Sequence, residues 1–465
     1  REGDVDRART GGQARLRETV LAVSVIALFF LVRFALLIVR EPFFDELFTV
    51  WMAGKPFAEI VPALTLDSGP PLYYFIARIP NVFALRVLSL AFATGTLALI
   101  LMRRSLGTGR WIAATLLALY PPAALFAVDA RAYALCGLFV ALGAVSVHER
   151  RPFAAAAAFL LAAYTHWYGA LFLPLIVMAD PPSLWSGGHF GRLRISTASE
   201  NRGRSGRRST GIVATVVAAI LFIPGLWLAS MQPAAATGWL SDQPRFAALS
   251  AFAFAGNYAE SLFRPAPLFV IALSAIAVLV AGTRTWTFAP MVLVPVILAI
   301  AIALAGRTVY FPMRFESVLA APLVLWLARS LQWWRRELRW LFVSVLCVCG
   351  AITIVRGASD HQQRPLDPYR EAAMVVARTH DIPVVASGFL YLETVHQLGA
   401  SRVRAFPAEQ GSHPGWRVSG ATSEPLPRGP FVWIGERAAP ELAKIRQRPG
   451  DVVFANKRAM IVRVR

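Results

Sequence analysis

Residues 40–51 read Arg-Glu-Pro-Phe-Phe-Asp-Glu-Leu-Phe-Thr-Val-Trp, and residues 67–74 read Asp-Ser-Gly-Pro-Pro-Leu-Tyr-Tyr. The two stretches lie between the apolar runs 19–39 and 84–102. Each run is near the ~20 residues that a helix needs to cross a bilayer. Segment 40–80 is therefore expected to be a loop on one side of a membrane. It carries Asp45, Glu46 and Asp67 in a chain that is otherwise poor in charge. Carboxylates held at a membrane face are candidates for chemistry. A plainer account of Asp45-Glu46 stands beside that one, because acids favour the first turn of a helix. Asp45 to Ala53 reads as a short amphipathic helix, with Leu47, Phe48, Val50 and Trp51 apolar and Gly54 as its C-cap. Such a helix lies on the membrane surface.

Composition extends this reading to the whole chain. The 465 residues are 56% hydrophobic and 16% charged, with a mean hydropathy of +0.53. That excludes an ordinary soluble globular protein. The net charge of +20 does not indicate a nucleic-acid partner, because most arginines sit in short links between apolar runs. The partner they imply is a membrane. Further apolar runs at 111–128, 132–147, 153–164, 170–179, 211–230, 266–282, 286–305, 315–329 and 340–355 bring the expected crossings to about eleven. Arginine placement puts the N-terminus and the basic segment 181–210 in the cytoplasm, the latter as a flexible loop. It puts 40–80, 231–264 and everything beyond 356 outside. Arg33, near the outer end of the first run, is expected to snorkel toward the headgroups. Trp227, Trp239 and Trp286 fit interfacial belts. Cys136, Cys347 and Cys349 all lie in apolar runs, as core residues and not as metal ligands or disulfide partners.

Beyond residue 356 the pattern changes. A helix is expected over 368–380, strands at 383–387, 430–434 and 460–464, and a helical stretch at 438–447. The expected organisation is a polytopic α-helical membrane domain, 1–356, with its catalytic loop at 40–80. A small extracytoplasmic α/β domain follows over 357–465. No phosphate loop or dinucleotide glycine fingerprint occurs in it.

The expected outer face gathers Asp45, Glu46, Asp67, Arg131, His166, Arg307 and Arg314. Arginines there run against the positive-inside bias. Either they pair locally, Arg131 with Asp129 for example, or they hold an anionic ligand, since guanidinium matches phosphate oxygens. His166, beside Trp167 and Tyr168, is either an interfacial residue or a ligand to substrate. A carboxylate with several cations suits one reaction. A base takes the proton of an acceptor hydroxyl, the hydroxyl attacks a sugar carbon, and a phosphate leaves.

Phe44-Asp45-Glu46 after the first run resembles the aspartate–glutamate motif of the GT-C glycosyltransferases. Their relatives include the protein O-mannosyltransferases and the lipid A aminoarabinose transferase. Asp67 to Tyr74 is similar to their Pro-Pro-Leu-Tyr-Tyr segment, and Ala130-Arg131-Ala132-Tyr133 to their Arg-x-Tyr turn. Tyr164 to Tyr168, and Met313-Arg314-Phe315 with Pro322, resemble later family segments. The resemblance covers 19–355. It implies a multi-pass plasma (inner) membrane enzyme that uses a polyprenyl-phosphate-linked sugar donor and a lipid, glycan or protein acceptor. Transfer occurs outside the cytoplasm with inversion. It implies catalytic roles for Asp45, the general base, and Glu46. Substrate contacts fall to Asp67, Tyr73, Arg131, Tyr133, His166, Arg307 and Arg314. Gly69 stands where many relatives carry His or Lys before the Pro-Pro pair, so phosphate contacts are expected to fall on Arg131, His166 or Arg314. One Asp-Glu pair without a third ligand argues against a required metal, and no other cofactor is expected. The competing reading is a multi-pass transporter or lipid flippase, whose acids sit near the bilayer midplane. Here they sit in loops or at helix ends.

Overall fold

The structure is a computed structural model. It describes residues 2–40, 42–180, 198–233, 245–252, 288–307, 309–311, 313–362, 376, 382–386, 390–406, 426–437, 441–455 and 459–465. The N-terminal part is helical. It comprises α1 (Glu2–Val39), α2 (Phe44–Ala53), α3 (Phe57–Leu64), α4 (Leu72–Ile76), α5 (Val82–Met102), α6 (Gly109–Leu119), α7 (Pro121–Phe126) and α8 (Tyr133–His148). Then come α9 (Pro152–Thr165), α10 (Trp167–Ala170), a 3-10 segment (Leu173–Ala179), α11 (Ala198–Met231), α12 (Ala289–Leu304), α13 (Arg314–Leu331) and α14 (Arg336–Gln362). Among the described residues, four helices are long and apolar enough to cross a membrane: Glu18–Val39, Val82–Met102, Thr210–Met231 and Arg336–Arg356. Shorter apolar helices surround α13, which is buried along nearly its whole length. The run 266–282, the outer-loop residues Trp239, Asp242, Asn257, Tyr258 and Glu260, and Trp286 lie outside the described residues, as does the helix expected at 368–380 except Val376.

Two differences from the sequence reading have clear causes. The run 111–128 is not one helix but two, broken at Tyr120 by Pro121 and Pro122. Proline has no N–H, so the carbonyls of Leu117 and Ala118, four residues before each, lose their helical donors. Arg33 replaces them. Its Nη2 reaches Leu117 O at 3.2 Å and its Nη1 reaches Ala118 O at 3.0 Å, with the guanidinium over the Phe29 ring at 3.6 Å. The side chain is only 1% exposed, so Arg33 does not snorkel. An arginine inside the apolar layer is held by carbonyls that have no other partner there. The second difference is in the basic segment. α11 begins at Ala198, so 198–210 is helix and not loop, while 181–197 lies outside the described residues. An anchored apolar helix extends outward at little cost, since propagation adds one hydrogen bond per residue. Thr210 also ties this end to Asp180, Oγ1 to Oδ2 at 3.2 Å.

Among the described residues, the C-terminal part forms a five-stranded sheet of order β2-β1-β3-β5-β4. β1 (Val384–Ala386) runs parallel to β2 (Val403–Ala405) and to β3 (Phe431–Glu436). β5 (Ala459–Val464) is antiparallel to β3 and to β4 (Gly450–Ala455). Alternate residues face two layers, as the pleat requires. Val384, Val432 and Ile461 pack with Leu390 of α15 (Leu390–Leu398), and Val385, Trp433 and Val462 pack with Ile445 of α16 (Glu441–Arg446). β1, β3 and β5 fall where the sequence predicts strands. β2, β4 and α15 are additions. β2 has three residues, and β4 is an exposed edge strand without buried alternation, so neither leaves a clear pattern.

Candidate active site

The loop between α1 and α5 folds onto the turn before α8. Phe44, Phe48, Tyr73 and Tyr74 share one apolar core with Ala130 and Leu135. This packing sets the two acids. Neighbouring helical positions diverge by about 100°, and Asp45 and Glu46 have opposite surroundings. Glu46 is fully buried. Its carboxylate accepts from Arg86 Nε at 2.8 Å and Nη2 at 2.6 Å, and from the Ala130 N–H at 2.9 Å. Arg86 Nη1 also donates to Arg40 O at 2.6 Å. Arg40 in turn pairs with Asp129 and donates to Leu125 O at 2.7 Å. Two buried ion pairs thus hold the end of α1, the start of α2 and the turn 129–131 together. The Arg86–Glu46 contact is bidentate, which fixes geometry as well as charge.

Asp45 faces the other way. Its side chain is 23% exposed, and its Oδ2 lies 2.9 Å from Arg314 Nη2. Arg314 is the first residue of α13. A cation at this positive helix end is unfavourable unless an anion accompanies it. Met313 before it has φ 67°, a left-handed conformation that a non-glycine residue adopts only under constraint. The guanidinium sits 4.5 Å from the Phe311 ring and 5.8 Å from the Tyr133 ring.

Arg131 is drawn to the same place. Its Nη1 donates to the Asp45 carbonyl and to Tyr74 Oη, each at 3.2 Å. The expected side-chain pair with Asp129 does not form, because Asp129 is taken by Arg40. Only the Arg131 backbone N–H bonds Asp129 O, at 2.7 Å. Asp67 is buried and lies within electrostatic reach of Arg131 and Tyr74. His166, between α9 and α10, lies with its ring tilted against those of Tyr168 at 4.4 Å and Tyr133 at 5.1 Å. Its Nδ1 accepts the Tyr168 N–H at 3.2 Å, which leaves the proton on Nε2. Burial, reinforced by repulsion from Arg131 and Arg314, pushes the imidazole down to about 3. His166 is therefore neutral at physiological pH. It offers a hydrogen bond and not a counter-charge.

Not every expected site residue joins this cluster. Tyr73 is 1% exposed inside the loop core, and its neighbour Tyr74 is the one that meets Arg131. Arg307 is exposed after the end of α12, and no hydrogen bond or ion pair joins it to Asp45 among the described residues. Gly69 has φ 122°, which a side chain would resist, so the relatives' His or Lys does not suit this turn. Gln232, at the end of α11, holds that turn instead. It donates to Leu64 O at 3.0 Å and Gly69 O at 2.8 Å, and accepts from Trp167 Nε1 at 3.2 Å. Sequence reading missed Gln232, Arg40 and Arg86, and the buried Glu316, which pairs with Tyr310. An arginine at position 86, inside the apolar run 84–102, was an available signal. Among the described residues no three His, Cys, Asp or Glu side chains group as metal ligands would.

No family model matches the chain, and no curated protein does either. Solved structures do. ArnT from Cupriavidus metallidurans in the apo state superposes with a TM-score of 0.51, and the same protein bound to undecaprenyl phosphate with 0.52. In each case identity is 13%, and the match covers 96% of this chain and 98% of that one. ArnT is a lipid A aminoarabinose transferase, a GT-C glycosyltransferase. Across almost its full length, then, this chain has the fold of the aminoarabinose transferase ArnT.

Proposed function

We propose that the chain is a membrane glycosyltransferase that moves a sugar from a polyprenyl-phosphate-linked donor to an acceptor hydroxyl on the extracytoplasmic face, with inversion. The observation that carries this reading is the Asp45–Arg314 pair, a solvent-reached carboxylate 2.9 Å from an arginine at the positive end of α13. ArnT, whose fold the chain shares, is bound to undecaprenyl phosphate in one structure, which supports the polyprenyl carrier.

The chemistry follows from what each group offers. The donor phosphate draws Arg314 and Arg131, and Arg314 exchanges Asp45 for phosphate oxygen. Asp45, released from its cation, is then a stronger base. It accepts the proton of the acceptor hydroxyl as that oxygen bonds to the anomeric carbon. The carbon–oxygen bond to phosphate breaks on the opposite side, and polyprenyl phosphate leaves with both electrons. The arginines stabilise the growing negative charge. Tyr133 and neutral His166 shape the site without adding charge. The transporter or flippase reading has less support. Its acids would need to change state within the membrane layer, whereas Glu46 and Asp129 are locked to Arg86 and Arg40.

In a strain lacking the protein, mass spectrometry of the polyprenyl-linked sugars is expected to show one polyprenyl-phosphate sugar accumulating. An unchanged pool would reject the reading. Arg131→Ala and Arg314→Ala are each expected to weaken donor binding by about tenfold or more, and acceptor binding much less, since hydrogen bonds to charged groups contribute about 1.5–3 kcal/mol. Titration of purified protein with donor measures this, and undiminished affinity in both variants would remove them from phosphate binding. The orientation makes its own prediction. A cysteine at Ser205 is expected to resist a membrane-impermeant thiol reagent in intact cells, and one at Gln410 to react. The reverse pattern inverts the topology.

A further inference from the structure

The segment that carries Asp45 is not held only by the membrane domain. α2 starts after Phe43, which has extended backbone and a side chain that cannot cap. The first turn of a helix leaves N–H groups without helical partners. The Glu46 and Leu47 N–H groups turn back to Phe43 O at 2.9 and 3.1 Å. The Phe44 N–H donates to Glu393 Oε1 at 3.0 Å, a partner 349 residues away in α15 of the C-terminal part. Glu393 is 7% exposed. Leu392 beside it and Ala405 of β2 belong to the same apolar core as Phe44 and Phe48. The contact is thus a buried charge-assisted hydrogen bond set in continuous packing, not a surface encounter. A carboxylate at this helix end also meets the favourable pole of the helix dipole.

We propose that Glu393 is a positioning residue for the transfer reaction, supplying from the C-terminal domain the N-terminal cap that α2 lacks and so fixing the peptide that leads into Asp45. The domain is then part of the catalytic framework and not an independent appendage. It does not touch the reacting atoms. It sets where the base stands, and small displacements of a catalytic group cost large factors in rate. The turnover consequence rests on the function proposed above, whereas the capping does not.

The test uses the full chain in nanodiscs. Hydrogen exchange is followed in peptides covering 43–53 and 431–436, beside transfer kinetics. Glu393→Ala is expected to raise exchange at 43–53 by about tenfold while 431–436 stays protected, and to lower kcat by about tenfold with donor KM within about twofold. Glu393→Gln keeps an acceptor oxygen and is expected to stay within about threefold of wild type in both readouts. Unchanged exchange at 43–53 in Glu393→Ala overturns the cap. Raised exchange with wild-type kcat overturns the positioning role, as does a glutamine variant no better than alanine. If Glu393→Ala also exposes 431–436, Glu393→Asp decides. It keeps the charge on a shorter arm and must raise exchange at 43–53 alone, or the proposal fails. If no transfer activity exists at all, the function falls, and the exchange data still decide the cap.

Discussion

Asp45→Asn is expected to lower sugar transfer by about 10²–10⁴-fold, the usual cost of losing a general base, while the protein still folds and binds donor. The substitution keeps the shape of the side chain and removes its ability to take a proton. Its side effects are small because the hydrogen bonds that reach this position from Arg131 and Thr49 go to backbone. Arg131 and Thr49 both bond the Asp45 carbonyl, which asparagine leaves in place. What is lost is the ion pair with Arg314. Arg314 then faces the donor phosphate without a competing carboxylate, so donor affinity is expected to hold or rise slightly. That combination separates two accounts of Asp45. A helix-starting acid contributes about 0.3–1 kcal/mol to stability and nothing to chemistry, and its loss leaves turnover near wild type. Transfer by the purified variant, with donor binding as the folding control, makes the comparison. Near-wild-type turnover would end the proposed mechanism. Glu46→Gln should behave differently. Its carboxylate neutralises Arg86 in a site closed to solvent, so its effect falls on the folded fraction more than on turnover per folded molecule.

Much of this site was legible along the chain, and the limits have physical causes. The helix from Asp45 to Ala53 follows from its apolar spacing, and the structure begins it one residue earlier, at Phe44. Adjacency alone shows that Asp45 and Glu46 cannot share one proton. What adjacency does not say is which faces outward, because that depends on Arg86, 40 residues away. Likewise the charge on Arg33 points to headgroups only if the carbonyls freed by Pro121 and Pro122 are ignored, and these lie 84 and 85 positions on. Pairings of that range are set by how helices pack, and no periodicity records them. Arg131 and Arg314 stand out along the chain because, on the expected topology, they break the arginine bias, and the structure brings both to Asp45. Arg307 breaks it equally but ends on an exposed turn, so the bias marks candidates without sorting them. The sheet shows the same limit. Its central strands carry the buried alternation, and its edges do not.

Arg86→Ala is expected to destabilise the folded protein by about 3–5 kcal/mol, the typical cost of stranding one half of a buried ion pair. Glu46 is fully buried, and two of the three bonds to its carboxylate come from Arg86. Without that guanidinium, only the Ala130 N–H remains, and burial penalises the charge it cannot balance. Arg86 also donates to the carbonyl of Arg40 at the end of α1, so the same change frees one more buried acceptor. The loss reaches the site through the turn 129–131. Glu46 holds Ala130, and the next residue is Arg131, whose guanidinium meets Asp45 and Tyr74. Denaturant titration in mixed micelles measures the stability, and transfer kinetics measure what survives. Arg86→Lys should recover part of it, since a point charge satisfies the carboxylate without the two-pronged geometry. The paired change Arg86→Met with Glu46→Met should recover more stability than either single change, because apolar groups of similar size often replace a buried pair without loss. Its activity should stay low, because the thioether is only a weak acceptor for the Ala130 N–H and the turn that aims Arg131 loses its anchor. A single Arg86→Ala variant within about 0.5 kcal/mol of wild type, the range of an ordinary surface change, would mean that the Glu46–Arg86 pair does not hold this loop together.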